Sequence, residues 1–256
     1  MSVAAAATEQ TWVYALRLGD DALVLAQRLG EWSASAPELE EDMALSNIAL
    51  DLLGQARTLL TRAGELEGAG RDEDALAYLR NEREFLNVLL VEQDNGDFAQ
   101  TIVRQLLFSA YQHELYGALR ASTDPVLAGV AGKAVKEVAY HRDHALTWTL
   151  RLGDGTDESR ARMQRALERL WPYAGELFEA DALTDRLAAD GVAVDPAALR
   201  PAWEAFVLDA LARATLTLPQ DDWHPTGGRA GRHEEALGLL LAELQHVHRS
   251  HPGATW

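Results

Sequence analysis

The sequence predicts an all-α protein, a four-helix bundle with additional C-terminal helices. Three observations predict it. Before Gly153, four long stretches repeat their apolar residues at steps of three and four, the spacing of one helical face. No stretch sustains the alternation of a half-buried strand. Clusters of Gly, Pro, Asp and Ser punctuate the long stretches where turns belong.

Residues 1–10 are expected to be disordered. A first helix runs from about Trp12 to Trp32, with Ala15, Leu18, Ala22, Leu25, Leu29 and Trp32 on its apolar face and Gly19 inside it as a weak point. Ser33 to Pro37 reads as a turn. The second helix, about Glu38 to Glu65, carries Leu45, Ile48, Leu52, Gln55 and Leu59 inward and ends at Gly64, Gly68 and Gly70. A shorter helix is expected over Asp72–Asn87, then a turn at Asp94–Asp97. The third long helix, about Phe98 to Ala121, places Ile102, Leu106, Ser109, His113 and Tyr116 on one side. Ser122-Thr123-Asp124-Pro125 closes it and caps the next. The fourth, Lys133–Leu152, repeats Ala134, Val138, His141, Ala145, Trp148 and Leu152. Further helices are expected over Asp157–Leu170, Leu177–Asp190, Pro196–Leu216 and Arg232–Arg249, with a Pro/Gly loop at Pro219–Gly231. With no low-complexity linker, residues 11–256 read as one domain, its bundle core at about 12–152 and its extra helices at about 157–249.

Composition narrows the function. The chain has a formal net charge of −17, which repels nucleic acid and anionic membrane surfaces. It has no cysteine, so disulfides, thiolate catalysis and cysteine metal sites are excluded, and a reducing cytoplasm suits it. No apolar run approaches the ~20 residues of a membrane span, and MSVAAAATEQTW lacks the basic and apolar regions of a signal peptide.

A bundle that carries a carboxylate-bridged metal pair needs one carboxylate from each of two helices and Glu-x-x-His from each of the other two. The inward stripes supply Ala22 from the first helix, Leu52 and Gln55 from the second, Ser109 from the third, and Val138 and His141 from the fourth. One amide and one imidazole do not hold two divalent metals, so no metal or catalytic residue is expected there. Asp21, Asp51, Glu137 and His144 lie near those stripes. They are expected to form, with His141, a buried polar network of ion pairs, Asp51 or Glu137 meeting His141 or an arginine such as Arg57. An off-register metal site from the same residues is the alternative. His113-Glu114 reads as a rim pair. Gly227–Arg232 looks like a phosphate cradle with two arginines, but it follows no strand, and a plain loop is expected. His246, His248 and His251 are expected to be exposed near the C-terminus. Seven tryptophans suit either core packing or an association surface.

Five collinear blocks, YALRLGDDALVLAQRLGEW (14–32), APELEEDMALSNIALDLLGQAR (36–57), LLVEQDNGDFAQTIVRQ (89–105), KEVAYHRDHALTWTLRLGDGT (136–156) and LPQDDWHPTGGRAGRHEEALGLLLAE (218–243), resemble the C-type subunits of ring 1,2-phenylacetyl-CoA epoxidases. The resemblance implies a ferritin-like fold and a place in the monooxygenase complex of aerobic phenylacetate catabolism. There a di-iron A subunit does the chemistry, a B subunit and a flavin/iron–sulfur reductase complete the system, and the C-type chain is a non-catalytic, structural partner that holds no cofactor. It also implies that Leu52 and Gln55, and Val138 and His141, stand where the catalytic paralogue has Glu and His, with Ala22 and Ser109 at the single-carboxylate positions. A CoA-binding module or an off-register di-metal oxygenase is the rival function, and homodimerisation of the chain alone is left open.

Overall fold

The computed structural model describes residues 3–220 and 223–254, and among them every regular element is helical. The all-α class that the sequence predicts is what the protein has. In chain order the α-helices are α1 (Val3–Gly30), α2 (Leu39–Glu67), α3 (Glu73–Tyr78), α4 (Leu89–Glu92), α5 (Phe98–Leu119), α6 (Pro125–Gly153), α7 (Asp157–Leu170), α8 (Ala182–Ala189), α9 (Arg200–Arg213), α10 (Glu235–Leu244) and α11 (His246–Ser250).

Helix ends fall where side chains cap them. The Asp97 carboxylate accepts the Gln100 N–H (3.1 Å) and starts α5; Asp124 accepts from Val126 and Leu127 (2.9 and 3.0 Å) and starts α6, with Pro125 at the first helical position. Thr156 caps α7 in the same way. Gly68 closes α2 in the left-handed conformation.

Helix α1 is drawn from Val3. Two expectations are corrected. The helix expected over Asp72–Asn87 is broken after Tyr78 into a 3-10 turn, Glu82–Glu84, and extended chain. There the N–H groups of Leu86 and Val88 donate to the carboxylates of Asp20 and Asp21 (2.8 and 2.9 Å) instead of to helical carbonyls. The helix expected over Leu177–Asp190 is a 3-10 stretch, Trp171–Phe178, followed by α8, whose own cap, Asp181, accepts the Thr184 N–H at 2.9 Å.

The chain forms two compact units, Met1–Asp94 with Gly227–Trp256, and Asn95–Thr226. The helices α10 and α11 belong to the same unit as α1 and α2. In the first unit α1 and α2 make a hairpin packed along its length. Ala15, Leu18, Ala22, Leu25 and Leu29 are buried on α1, and the whole expected stripe Leu45, Ile48, Leu52, Gln55, Leu59 on α2. Gly19 is a contact, not a flaw: a Cβ there would lie 2.8 Å from Leu60 Cδ2, so glycine lets the helices close.

In the second unit α5 is buried on all sides from Ala99 to Gln112, with α6, α7 and α9 packed around it. Trp203 of α9 is buried and donates its indole N–H to the Leu107 carbonyl at 2.8 Å. Phe178 meets it edge-on at 5.0 Å, and Phe98 meets Trp148 at 5.1 Å. Trp223 is 54% exposed beside Tyr173, so the tryptophans divide between core and surface; Trp256 lies outside the described residues.

Trp203→Phe is expected to keep most of the packing and leave the Leu107 carbonyl without its indole donor, a loss of about 1–2 kcal/mol, whereas Trp203→Ala adds a cavity and costs about 3–5 kcal/mol. Urea unfolding followed by circular dichroism checks both, and an unchanged Phe variant would remove the hydrogen bond from the account.

Candidate functional site

The six positions of the degenerate ligand pattern divide between the units. Ala22, Leu52 and Gln55 are buried on the packed pair α1 and α2. Ser109, Val138 and His141 are buried on the packed pair α5 and α6, and the Ser109 hydroxyl donates to the Gln105 carbonyl at 2.5 Å. Their groups are a methyl, an isobutyl, a carboxamide, a hydroxyl, an isopropyl and an imidazole. That donor set does not fit a carboxylate-bridged metal pair. Among the described residues, no cluster of three or more His, Asp or Glu side chains could hold a metal ion.

Some contacts of the nearby polar residues are as follows. Glu137 pairs with Lys133 one turn away (3.2 Å), at the rim of α6. Arg57 pairs with Glu73 at 3.2 Å. Asp51 and His144 are half-buried, and His144 lies beside Tyr140 with ring centres 6.2 Å apart. His113 sits 3.0 Å from both Glu114 and Arg142, so the rim pair on α5 is a triad with α6. Of the three C-terminal histidines, His246 and His251 are exposed as expected, and the half-buried His248 stacks on Tyr78 at 4.9 Å.

The cluster that the first unit does build was not visible as one in the sequence. Asp20 and Asp21, adjacent on α1, are both buried. Arg80, itself buried, binds Asp20 through both terminal nitrogens, one at 2.9 Å. Arg229 binds Asp21 through both of its own, at 3.0 and 2.7 Å, and also donates to the carbonyls of Arg17 and Leu86. The Gly227–Arg232 segment is therefore stapled inward through Arg229, which is held by α1, while its second arginine, Arg232, is exposed. Its glycines let it lie against the chain. A Cβ at Gly231, where φ is 69°, would fall 2.2 Å from the Arg83 carbonyl oxygen.

Glu92 anchors the other end of the staple. Its carboxylate accepts from Asn87 Nδ2 (2.8 Å), His233 Nδ1 (2.7 Å) and the Glu234 N–H (2.8 Å), while its backbone carbonyl accepts from Arg28 (3.1 and 2.8 Å). His233 Nε2 lies 2.7 Å from the Phe85 carbonyl. Both ring nitrogens face acceptors, so only the doubly protonated imidazolium satisfies both.

Electrostatics follow from this burial. Burial pushes the Asp21 carboxyl up to about 6; the charge and hydrogen bonds of Arg229 and the Val88 N–H oppose the rise, and Asp20 adds to it. Burial alone would lower His233, but the bond and charge of Glu92, the Phe85 carbonyl and Asp20 outweigh it and hold its pKa above the ordinary value. A closed set of paired charges of this kind binds the chain to itself and presents no nucleophile, base or open metal position.

One signal could have found it. Two carboxylates inside the apolar run LRLGDDALVLA must be paired if that face is buried. Their partners lie 60 and 208 residues away, beyond any helical period.

A family model described as phenylacetic acid catabolic protein matches residues 2–256. The chain is 52% identical over 247 residues, covering 96% of it and 99% of the relative, to the C-type subunit of the 1,2-phenylacetyl-CoA epoxidase of Escherichia coli (strain K12).

Asp21 and His233 both have folded-state pKa values raised above their unfolded ones. Each therefore contributes stability that is full below its unfolded value and is lost as pH rises through its folded value. For Asp21, shifted from 3.8 to about 6, the change is about 3 kcal/mol. Melting temperature is expected to fall from pH 5 to pH 8, and Asp21→Asn to flatten that slope. Arg229→Ala leaves the buried carboxylate alone and is expected to cost about 3 kcal/mol at pH 8 and less at pH 5. Equal losses at the two pH values would contradict the pairing.

Proposed function

The chain belongs to the phenylacetic acid catabolic protein family, and from that premise we propose that it is a structural, non-catalytic subunit of a 1,2-phenylacetyl-CoA epoxidase. In this reading it works in the cytoplasm, pairs with the di-iron A subunit, holds that subunit's metal-bearing helices in place, and joins a B subunit in the larger assembly. The observation that carries it is the residue set at the six ligand positions: Ala22, Leu52, Gln55, Ser109, Val138 and His141. A helical framework like that of a di-iron enzyme is kept while its donors are replaced by core residues. Such a partner adds rigidity, since positions that hold metal ligands depend on the elements packed behind them.

Two observations speak against the rival readings. An off-register metal pair requires Asp21, whose carboxylate is engaged by Arg229 and the Val88 N–H. A CoA phosphate site at Gly227–Arg232 requires Arg229, which is bound to Asp21. Among the described residues no helix is long and apolar enough to cross a membrane.

Metal analysis of the purified chain, grown with iron and manganese supplied, is expected to find far less than one metal per chain, and a tagged chain co-expressed with an A-type subunit is expected to retain it through purification. Two metals per chain would sink the structural reading. Leu52→Glu combined with Val138→Glu is expected not to produce oxygenation by the chain alone, because the carboxylates of the remaining two helices would still be missing.

A further inference from the structure

In the second unit the 3-10 stretch Trp171–Phe178 and the first turn of α9 line a cavity of about 340 Å³. That lies within the range of small-molecule sites, about 300–1,000 Å³. The local sequence shapes it. Trp171, Ala174 and Phe178 follow one another at steps of three and four, and Trp203 and Glu204 stand three and four residues after Arg200. The large aromatic side chains form walls, while Ala174 and Gly175 are too small to fill the space between them. The walls are fixed by packing. Trp203 is buried and tied to the Leu107 carbonyl, Phe178 meets it edge-on at 5.0 Å, and the Trp171 ring lies 5.7 Å from it.

The charges at this cavity are unusual in not pairing with each other. Glu179 and Arg200 both line it and both are exposed. Among the described residues the Glu179 carboxylate meets no hydrogen-bond donor and no cation. Burial, with a contribution from Glu176, holds its pKa above the ordinary value. Arg200 lays its guanidinium over the Phe178 ring at 4.8 Å and stands 3.6 Å from Glu204. That distance is too long for a hydrogen bond, so the stacked plane is oriented while its N–H donors stay open. Opposite charges in one cavity, each out of the other's reach, fit a ligand that carries both.

We infer that this cavity is a binding site for a free α-amino acid with an aromatic side chain. The ring of the ligand lies among Trp171, Phe178 and Trp203, where apolar area and edge-to-face geometry favour it. Its carboxylate takes the fork of Arg200, and its ammonium takes Glu179. A ligand with only one of the two charges fits less well. A carboxylate alone meets the repulsion of Glu179 and Glu204 in a chain of net charge −17, and an amine alone meets that of Arg200. The structural role proposed above uses none of these residues, so the two readings stand or fall separately.

Isothermal titration of the full chain with L-phenylalanine, L-tryptophan, 3-phenylpropanoate and 2-phenylethylamine tests the site. An amino acid is expected to bind, and the acid and the amine, each lacking one charge, about tenfold more weakly or worse. Arg200→Gln is expected to erase the preference over the amine, and Glu179→Gln the preference over the acid. Gly175→Leu fills the cavity without touching a charge. A Cβ at that position meets only the His224 ring, at 3.8–3.9 Å, an ordinary contact. Its melting temperature is expected to stay and its binding to be lost. No binding of either amino acid at millimolar concentration overturns the proposal. So do analogues that bind as tightly as the amino acids, which would show adventitious uptake of a ring, and so does binding that a normally folded Gly175→Leu variant retains.

Discussion

The first unit depends on two adjacent buried carboxylates. Asp20 and Asp21 leave water completely, and a buried charge is tolerated only when it is paired and hydrogen-bonded. Neither can be satisfied by its own helix. Asp20 therefore draws in Arg80 and the Leu86 N–H, and Asp21 draws in Arg229 and the Val88 N–H. Between them they recruit the segment after α3 and the segment before α10, so one dipeptide on α1 fixes two otherwise irregular stretches. The arrangement is costly if incomplete, because loss of either arginine leaves an uncompensated charge in the interior. It is also specific, because few alternative chain paths bring two guanidinium groups to adjacent carboxylates.

The stretch from the last turn of α3 to α4 shows how that specificity is completed. Chain without helix leaves its carbonyls unpaired, and buried carbonyls need donors. Here the donors come from the C-terminal residues. Gln245 binds the carbonyls of Ala77 and Arg80, Arg249 those of Tyr78 and Arg80, His233 that of Phe85, and Arg229 that of Leu86. These side chains play the part of a missing strand or helix. The end of the chain thus returns to its beginning for a definite chemical reason, the need of one extended segment for hydrogen-bond donors.

What the sequence disclosed and what it hid follow the range of the interactions. Helices α2, α5 and α7 were legible to within a few residues, and α6 at its end though it starts eight residues before the expected Lys133, because their apolar period and their caps, Asp97, Asp124 and Thr156, are local signals. The burial of Ala22, Leu52, Gln55, Ser109, Val138 and His141 was legible for the same reason, since each is a place on a helical stripe. The break after Tyr78 was not, because its cause is a carboxylate on α1 with no periodic relation to it. Nor was the role of Arg229. Its glycine-flanked setting imitates an anion-binding loop, and only the position of Asp21 shows that the anion is internal.

The apolar stripe positions and the charged staple differ in what they ask of the fold. Acidic metal ligands on facing helices repel one another until a cation arrives, so a di-metal bundle couples its folding to its metal. Alanine, leucine and valine at those positions carry no such conflict; they pack, and apolar replacement of buried ionic groups is commonly neutral or stabilising. A chain with Ala22, Leu52 and Val138 can therefore reach its full packing with no ion at all. Charge has not been purged from its interior, however. It persists at Asp20, Asp21, Glu92 and His233, where its partners are other parts of the same chain. Interior charge stands where it orders the backbone, and the helical stripes at Ala22, Leu52 and Val138 are apolar.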